Sequence, residues 1–339
     1  MRPPYVGAAA GRSLVSRRMD GAALFRQLAA VVGAVTGKPV EIEDVTRLPG
    51  GASRETWSFS ARGPDGVATR LVLRRDPPRA PVSGLRLEAD LLRAAARAGV
   101  PVPGVVVAGE ASDGLGANFM IMDFVEGETI PRRILRDEHL ARVRPVLAEQ
   151  CGAALAAVHR IAPSEVPGLA GGDPVEQLRG LLDRLGQPHP AFELGLRWLA
   201  ETRPARSAEV VVHGDFRNGN LIIGPDGIRA VIDWELAHLG DPLEDLGWLC
   251  VKAWRFGSPL PVGGFGTVEQ LVTAYQGAGG IAVDAGSLHW WQVLGTLRWG
   301  IICIVQALTH TTGAVRSVEL AAIGRRVCEV EWDLLELLP

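Results

Sequence analysis

Apolar side chains at Leu24, Leu28, Val31, Val32 and Val35 recur close to the helical period and predict a helix over 20–36. The pattern then tightens to alternation. Val45-Thr46-Arg47-Leu48 and Thr56-Trp57-Ser58-Phe59-Ser60 read as strands flanking the turn-rich Pro49-Gly50-Gly51-Ala52-Ser53, so a hairpin around a glycine loop is expected. Leu71-Val72-Leu73-Arg74 predicts a third strand. Beyond a Pro-rich break, Leu87, Leu91, Leu92 and Ala95 share one side of a helix over 84–98, and strands near 104–108 and 118–122 complete a small sheet. From about 140 onward the spacing is helical, with Pro- and Gly-rich joints. The expected organisation is an N-terminal extension at 1–19, a β-rich lobe at 20–123 and a larger helical lobe at 124–339, an α+β fold.

Composition narrows the classes of function. With 339 residues, 47% of them hydrophobic, the chain can bury a substantial core. A net charge of -3 supplies no basic field for nucleic acid or an anionic membrane, so a small-molecule partner is expected. Cys151, Cys250, Cys303 and Cys328 lie far apart without a C-x-x-C pair, which argues against a zinc site or a disulfide scaffold. The stretch from Trp290 to Leu308 is long and apolar, but Gln292, Arg298 and Gln306 interrupt it. A central Arg costs about 2.5–3.5 kcal/mol on insertion, so a buried helix is the better reading. Met1 to Arg18 carry four arginines and no apolar core of a secretory signal; a cytoplasmic location is expected, and the oligomeric state is left open. The chain has only two lysines, Lys38 and Lys252, so a role usually given to lysine falls to another residue.

The chemistry is concentrated in one segment. Val210-Val211-Val212 runs into His213-Gly214-Asp215-Phe216-Arg217-Asn218-Gly219-Asn220, and Pro225-Asp226-Gly227 separates two further apolar runs ending at Asp233. Pro-Asp-Gly is a strong turn signal, so a hairpin follows the loop. Asn220 enters its first strand and Asp233 leaves its second, which brings an amide oxygen and a carboxylate side by side. Two hard oxygen ligands suit Mg²⁺ beside nucleotide phosphates. Asp215, in the same loop, can take the proton of an attacking hydroxyl. Singly, each of these residues has an ordinary reading as a turn cap or strand end; jointly, the chemical reading accounts for all three.

The H-G-D-x-x-x-x-N segment followed by Ile232-Asp233-Trp234-Glu235 resembles the aminoglycoside phosphotransferase and choline-kinase-like group, relatives of the protein kinases. The resemblance implies a bilobal protein-kinase-like fold with a small antiparallel sheet in the N-lobe, ATP and Mg²⁺ as cofactors, Asp215 as catalytic base, and Asn220 and Asp233 as metal ligands. It implies a structural role for His213. It places Gly50, Gly51 and Ser53 over nucleotide phosphates, and Arg74 where such kinases carry lysine. Glu88 becomes the candidate partner of that cation, with an exposed helical carboxylate as the alternative, and Arg75 a surface neighbour. Met122 and Phe124 fall in a segment similar to the adenine-binding linker, though Met120-Ile121-Met122 also reads as strand core. Gly240-Asp241-Pro242-Leu243-Glu244-Asp245-Leu246 matches the family's G-D-P-x-x-D-L element and implies that Asp241 and Asp245 brace the catalytic loop; a helix start with Asp in its first turn is the plainer reading.

One look-alike is set aside: Gly33-Ala34-Val35-Thr36-Gly37-Lys38-Pro39 has the wrong glycine spacing for a P-loop and reads as a helix end, with Gly37 as cap and Pro39 as stop. The acceptor is expected to be a hydroxylated small molecule. Between 251 and 320, Lys252, Arg255, Arg298 and Arg316 face only Glu269, Asp284 and Glu319, no surplus of acid for a polycationic aminoglycoside. The same span holds Trp254, Phe256, Phe265, Trp290, Trp291 and Trp299, which line either a partly apolar acceptor site or the helix core. Trp254-Arg255-Phe256-Gly257 also looks similar to the kinase-like domains associated with acyl-CoA dehydrogenases, which points to a hydroxylated acid or acyl acceptor. The competing readings are a non-catalytic nucleotide-binding protein of the same fold and a metal-dependent hydrolase using His213, Asp215 and Asp233.

Overall fold

The computed structural model describes residues 21–48, 54–76 and 84–339. The first helical pattern becomes α1 (Gly21–Thr36), which buries Leu24, Leu28 and Val32. It stops at Gly37, whose φ of 69° lies in the left-handed region that glycine enters without a Cβ penalty. The P-loop look-alike is therefore a helix end. The glycine loop Gly50-Gly51-Ala52-Ser53 and the extension 1–19 lie outside the described residues.

Strands β1 (Glu41–Arg47), β2 (Glu55–Arg62) and β3 (Ala68–Arg75) form an antiparallel meander, in which Thr56 faces Arg74 and Glu55 faces Arg75. Helix α2 (Leu85–Arg97) follows, with Leu85, Ala89, Leu91, Leu92 and Ala95 buried, then β4 (Val105–Gly109) and β5 (Phe119–Asp123). The sheet has five strands in the order β1-β2-β3-β5-β4. The chain divides into two compact units, Met1–Arg79 with Gly109–Phe119 and Ala80–Ala108 with Met120–Pro339. Helix α2 belongs to the second.

The second unit continues through α3 (Pro131–Arg136), α4 (Leu147–Val158), α5 (Pro174–Leu185) and α6 (Pro190–Glu201). Four short strands follow: β6 (Val210–Val212), β7 (Leu221–Gly224), β8 (Gly227–Val231) and β9 (His238–Gly240). Five helices close the chain, α7 (Leu243–Leu249), α8 (Val268–Gly277), α9 (Ala285–Thr311), α10 (Val318–Gly324) and α11 (Val327–Leu337). Helix α9 meets α5, α6, α7, α10 and α11 and buries Leu294, Leu297 and Ile301. Each such side chain contributes about 1.5–3 kcal/mol when fully removed from water. By length and composition α9 is apolar enough to cross a membrane, but half of its most apolar window is buried against the rest of the protein. Small residues set its close contacts: a Cβ on Gly247 would stand 2.7 Å from the Trp291 backbone, and one on Gly300 2.3 Å from the Phe192 ring.

The expected hairpin is β7–β8, with Leu221 opposite Val231 and a register shift between Ile222 and Ile223. Its turn is held by Arg229 on the Asp226 carboxylate at 3.0 Å and by Gln150, which accepts the Ile228 N–H at 2.9 Å. Strand β6 pairs antiparallel with β9, so the two strands that flank the hairpin close on each other behind it.

Candidate active site

The loop between β6 and β7 carries the proposed chemistry, and its backbone is fixed from below by Asp245. The Asp245 carboxylate on α7 is fully buried and accepts the N–H of His213 at 2.8 Å and of Gly214 at 2.9 Å, one on each oxygen. His159 at the end of α4 donates Nε2–H to it at 3.2 Å and accepts the Tyr275 hydroxyl on Nδ1 at 2.9 Å. Burial alone would push the Asp245 pKa up, but His159 and the His213 N–H hold it below the usual carboxylate range. Gly214 has φ 75°, and a Cβ there would lie 2.3 Å from the Leu236 carbonyl oxygen. The loop thus requires glycine at this point.

His213 is buried between Phe216 and Trp234. Its Nδ1 accepts the Asp215 N–H at 3.2 Å, so Nε2 carries the proton and meets the Ile232 carbonyl at 3.2 Å. Desolvation drives its pKa down against the pull of Asp245, Asp215 and Asp233. A neutral imidazole with both nitrogens engaged in the loop acts as a spacer between loop and hairpin.

Asp215 is reached by three donors. Asn220 Nδ2 lies 2.6 Å from Oδ2 and 2.9 Å from the Asp215 carbonyl, while Arg217 Nε and Trp248 Nε1 lie 3.0 and 2.8 Å from Oδ1. With its amide nitrogen turned to Asp215, Asn220 has Oδ1 left to ligate a cation. The Ile232 N–H donates to the Asn220 carbonyl at 3.0 Å, which brings the start of β7 beside the end of β8 and Asp233 beside Asn220. Asp233 is half-buried and holds a φ of 68°, an uncommon conformation for a residue other than glycine. One amide oxygen and one carboxylate at adjoining strand ends are a hard, sparse donor set of the kind Mg²⁺ takes beside phosphate.

Not every expected residue joins this cluster. Asp241 accepts the Ser207 N–H at 2.8 Å and the Leu243 N–H at 2.9 Å, so it ties the approach to β6 to the start of α7 rather than holding the loop itself. Glu88 is only 2% exposed, so it is not a solvated helical carboxylate. Arg75 is not a surface neighbour: it is 4% exposed, with Nη1 at 3.7 Å from Glu55, because it points to the buried face of β3. Arg74, on the other face, is half-buried. Met122 is buried in β5 and Phe124 half-buried just beyond it. The segment after Phe124 is pinned to β7 by paired bonds between Glu128 and Ile223 at 2.8 and 2.9 Å.

Trp290, Trp291 and Phe265 are core residues, so for them the plainer reading holds. Trp254, also a buried core residue, and the partly buried Trp299 belong to an aromatic cluster that reaches Asp215. Trp248 packs on Trp254 at 5.1 Å between ring centroids and Trp254 on Trp299 at 4.7 Å, with Phe256 and Ile302 against them. The Arg217 guanidinium lies 4.6 Å over Trp254 and that of Arg298 4.9 Å over Trp248. Trp248 and Arg217 were not singled out by the sequence reading. A signal existed for Trp248, which stands one helical turn after Asp245 and so shares its face of α7.

An α+β fold of protein-kinase type, with a loop that carries Asp215 and Asn220 next to Asp233 at the far end of the β7–β8 hairpin, defines a phosphoryl-transfer enzyme. The profile of the phosphotransferase enzyme family matches residues 44–286; the chain belongs to that family and is a small-molecule kinase. It is 29% identical over 259 residues to acyl-CoA dehydrogenase family member 10 of Mus musculus, covering 71% of this chain and 23% of that protein. With acyl-CoA dehydrogenase family member 11 of Gallus gallus it shares 27% identity, over 97% of this chain and 45% of the relative. The chain thus spans less than half the length of these two relatives. Among solved structures, a Ralstonia eutropha protein provisionally described as an aminoglycoside phosphotransferase superposes with a TM-score of 0.72 at 22% identity, covering 94% of this chain and 98% of that one. A spectinomycin phosphotransferase in complex with ADP and its antibiotic superposes with a TM-score of 0.61 at 13% identity, covering 92% and 98%.

Proposed function

We propose that the protein transfers the γ-phosphate of ATP to a hydroxyl of a small molecule in the cytoplasm, with a hydroxylated acid or acyl compound as acceptor. The observation that carries this reading is the Asp215 carboxylate, oriented by Asn220 on one oxygen and by Arg217 and Trp248 on the other. A carboxylate fixed in this way is a general base rather than a turn cap. The acceptor O–H gives its proton to Asp215 as its oxygen attacks the γ-phosphorus; the bond from that phosphorus to the bridging oxygen breaks and ADP leaves. Asp245, through the His213 and Gly214 N–H groups, keeps the loop at its working height. Asn220 Oδ1 and Asp233 are the proposed Mg²⁺ ligands, and Mg²⁺, when bound, neutralises phosphate charge. Arg74 keeps the nucleotide-phosphate role that the resemblance implies for it; Gly50, Gly51 and Ser53, given the same task, lie outside the described residues.

The acceptor class rests on two supports. The kinase-like chain is similar to proteins named for acyl-CoA dehydrogenation, and its stretch 251–320 carries no excess of carboxylates for a polycation. ADP release from ATP and Mg²⁺, measured over aminoglycosides, macrolides, choline-like alcohols and hydroxy acids, tests both parts. Asp215→Ala is expected to lower acceptor-dependent turnover by a factor on the order of 10² to 10⁴. Turnover that survives this change sinks the mechanism. Phosphorylation of aminoglycosides with none of hydroxy acids refutes the acceptor class, and tight ATP binding without turnover on any acceptor favours the non-catalytic reading.

A further inference from the structure

The two oxygens of Asp215 face different neighbourhoods. Oδ2 takes Asn220, which leads to Asp233 and the proposed cation and phosphate end of the site. Oδ1 takes Arg217 and Trp248, which lead to the aromatic cluster. The acceptor must approach Asp215 from the side away from the phosphates, because attack and departure at phosphorus are in line. That is the side of Arg217.

Arg217 is built into this place. Its side chain is 24% exposed, its guanidinium carbon lies 4.6 Å over the Trp254 ring, and its Nε bonds Asp215. Gly219, at φ 117°, leaves room for it, since a Cβ there would stand 2.6 Å from Nη1. Nη1 has one long contact, 3.5 Å to the Asn218 carbonyl, and Nη2 has no bond among the described residues. The fork therefore has its outer edge available while its inner edge is held. A guanidinium held over an aromatic ring and by its Nε can match a carboxylate bidentately with its outer edge. The partly buried rings of Phe256 and Trp299 continue the surface with apolar character.

We propose that Arg217 is the specificity-determining residue of the acceptor site, binding the carboxylate of a hydroxy acid whose hydroxyl lies on Asp215 and whose carbon chain lies along Phe256 and Trp299. This rests on the kinase reading given above and deepens it. Because Arg217 and Asp215 are in direct contact, hydroxyl and carboxylate must be separated by only a few bonds. An ammonium group brought to the same place meets a guanidinium, so polycationic acceptors are disfavoured.

The test compares straight-chain hydroxy acids bearing the hydroxyl at successive carbons with matched diols, in which CH₂OH replaces the carboxylate, for the wild-type chain and for Arg217→Met and Arg217→Lys. The wild type is expected to prefer at least one acid over its diol. Arg217→Met also loses the Nε bond to Asp215, so kcat falls for acid and diol alike; beyond that common loss the acid preference should collapse by roughly tenfold or more, through KM for the acid, as expected of a charge-assisted bond. Arg217→Lys should restore part of it. An equal fall in kcat/KM for acid and diol would show that Arg217 merely supports Asp215, and would overturn the proposal while leaving the kinase reading intact. Turnover of neither class by the wild type, with ATP bound, would overturn both. Unchanged acid preference in Arg217→Met would overturn the proposal alone.

Discussion

At the residue scale, the site is a set of polar groups each satisfied by a specific neighbour, and the chain of contacts runs further than the loop. His238 Nε2 meets Glu244 at 3.2 Å, Glu244 takes Arg298 on its other oxygen at 3.0 Å, and Arg298 stacks on the Trp248 that donates to Asp215. Burial of His238 disfavours its cation, but the Glu244 bond and charge outweigh this and raise its pKa. A histidine whose pKa is raised on folding contributes stability that is fully present below its unfolded value, near 6.5, and is lost as pH rises through the folded value. His238→Gln is therefore expected to destabilise the protein more at pH 5.5 than at pH 8.5, read by denaturant unfolding at both. A penalty that is equal at the two pH values, or larger at the alkaline one, would remove the charged pair from the account. The partners in this chain lie far apart in sequence. His213, Asp215 and Asn220 were legible because the loop that unites them is local, whereas Trp248 reaches Asp215 across 33 residues and depends on how α7 is rotated.

At the scale of elements, the β7–β8 hairpin was legible from its apolar runs and its Pro-Asp-Gly turn, and its closure fixes Asp233 next to Asn220. The β6–β9 pair was not. Strand β9 is three residues long, its pairing is set by tertiary contact, and a run so short has no alternation to read. That pair nonetheless decides where the loop sits, for Leu236, just before β9, presents the carbonyl that closes over Gly214. Gly214→Ala would place a methyl group against a backbone oxygen in a left-handed conformation, a strain of at least about 2 kcal/mol. The expected result is a lowered midpoint of unfolding together with loss of turnover, because relief of the clash moves the N–H that Asp245 holds. Wild-type stability and rate in this variant would mean that the loop is looser than its contacts indicate.

At the scale of the whole molecule, the division into units was only partly visible, because a linear change of pattern near 124 does not reveal that α2 belongs with the second unit while residues 109–119 belong with the first. What holds the second unit's site elements together is more local than its helical core. Asp245 joins α7 to the β6–β7 loop directly and to α4 and α8 through His159 and Tyr275. Asp245→Asn keeps the shape but has one acceptor oxygen where two N–H groups need one each, so one buried donor is left facing an amide NH₂. A cost of about 3 kcal/mol is expected at neutral pH. Because the folded Asp245 pKa is depressed, the stability it provides is present above the unfolded value of 3.8 and is lost as pH falls, and the gap between variant and wild type should narrow toward acid. Eight of the nine tryptophans lie in the second unit, with Trp57 in the first, so intrinsic fluorescence reports the unit that contains Asp245. A fluorescence midpoint that does not move in Asp245→Asn, with turnover retained, would show that the loop stands on the β6–β9 pair alone.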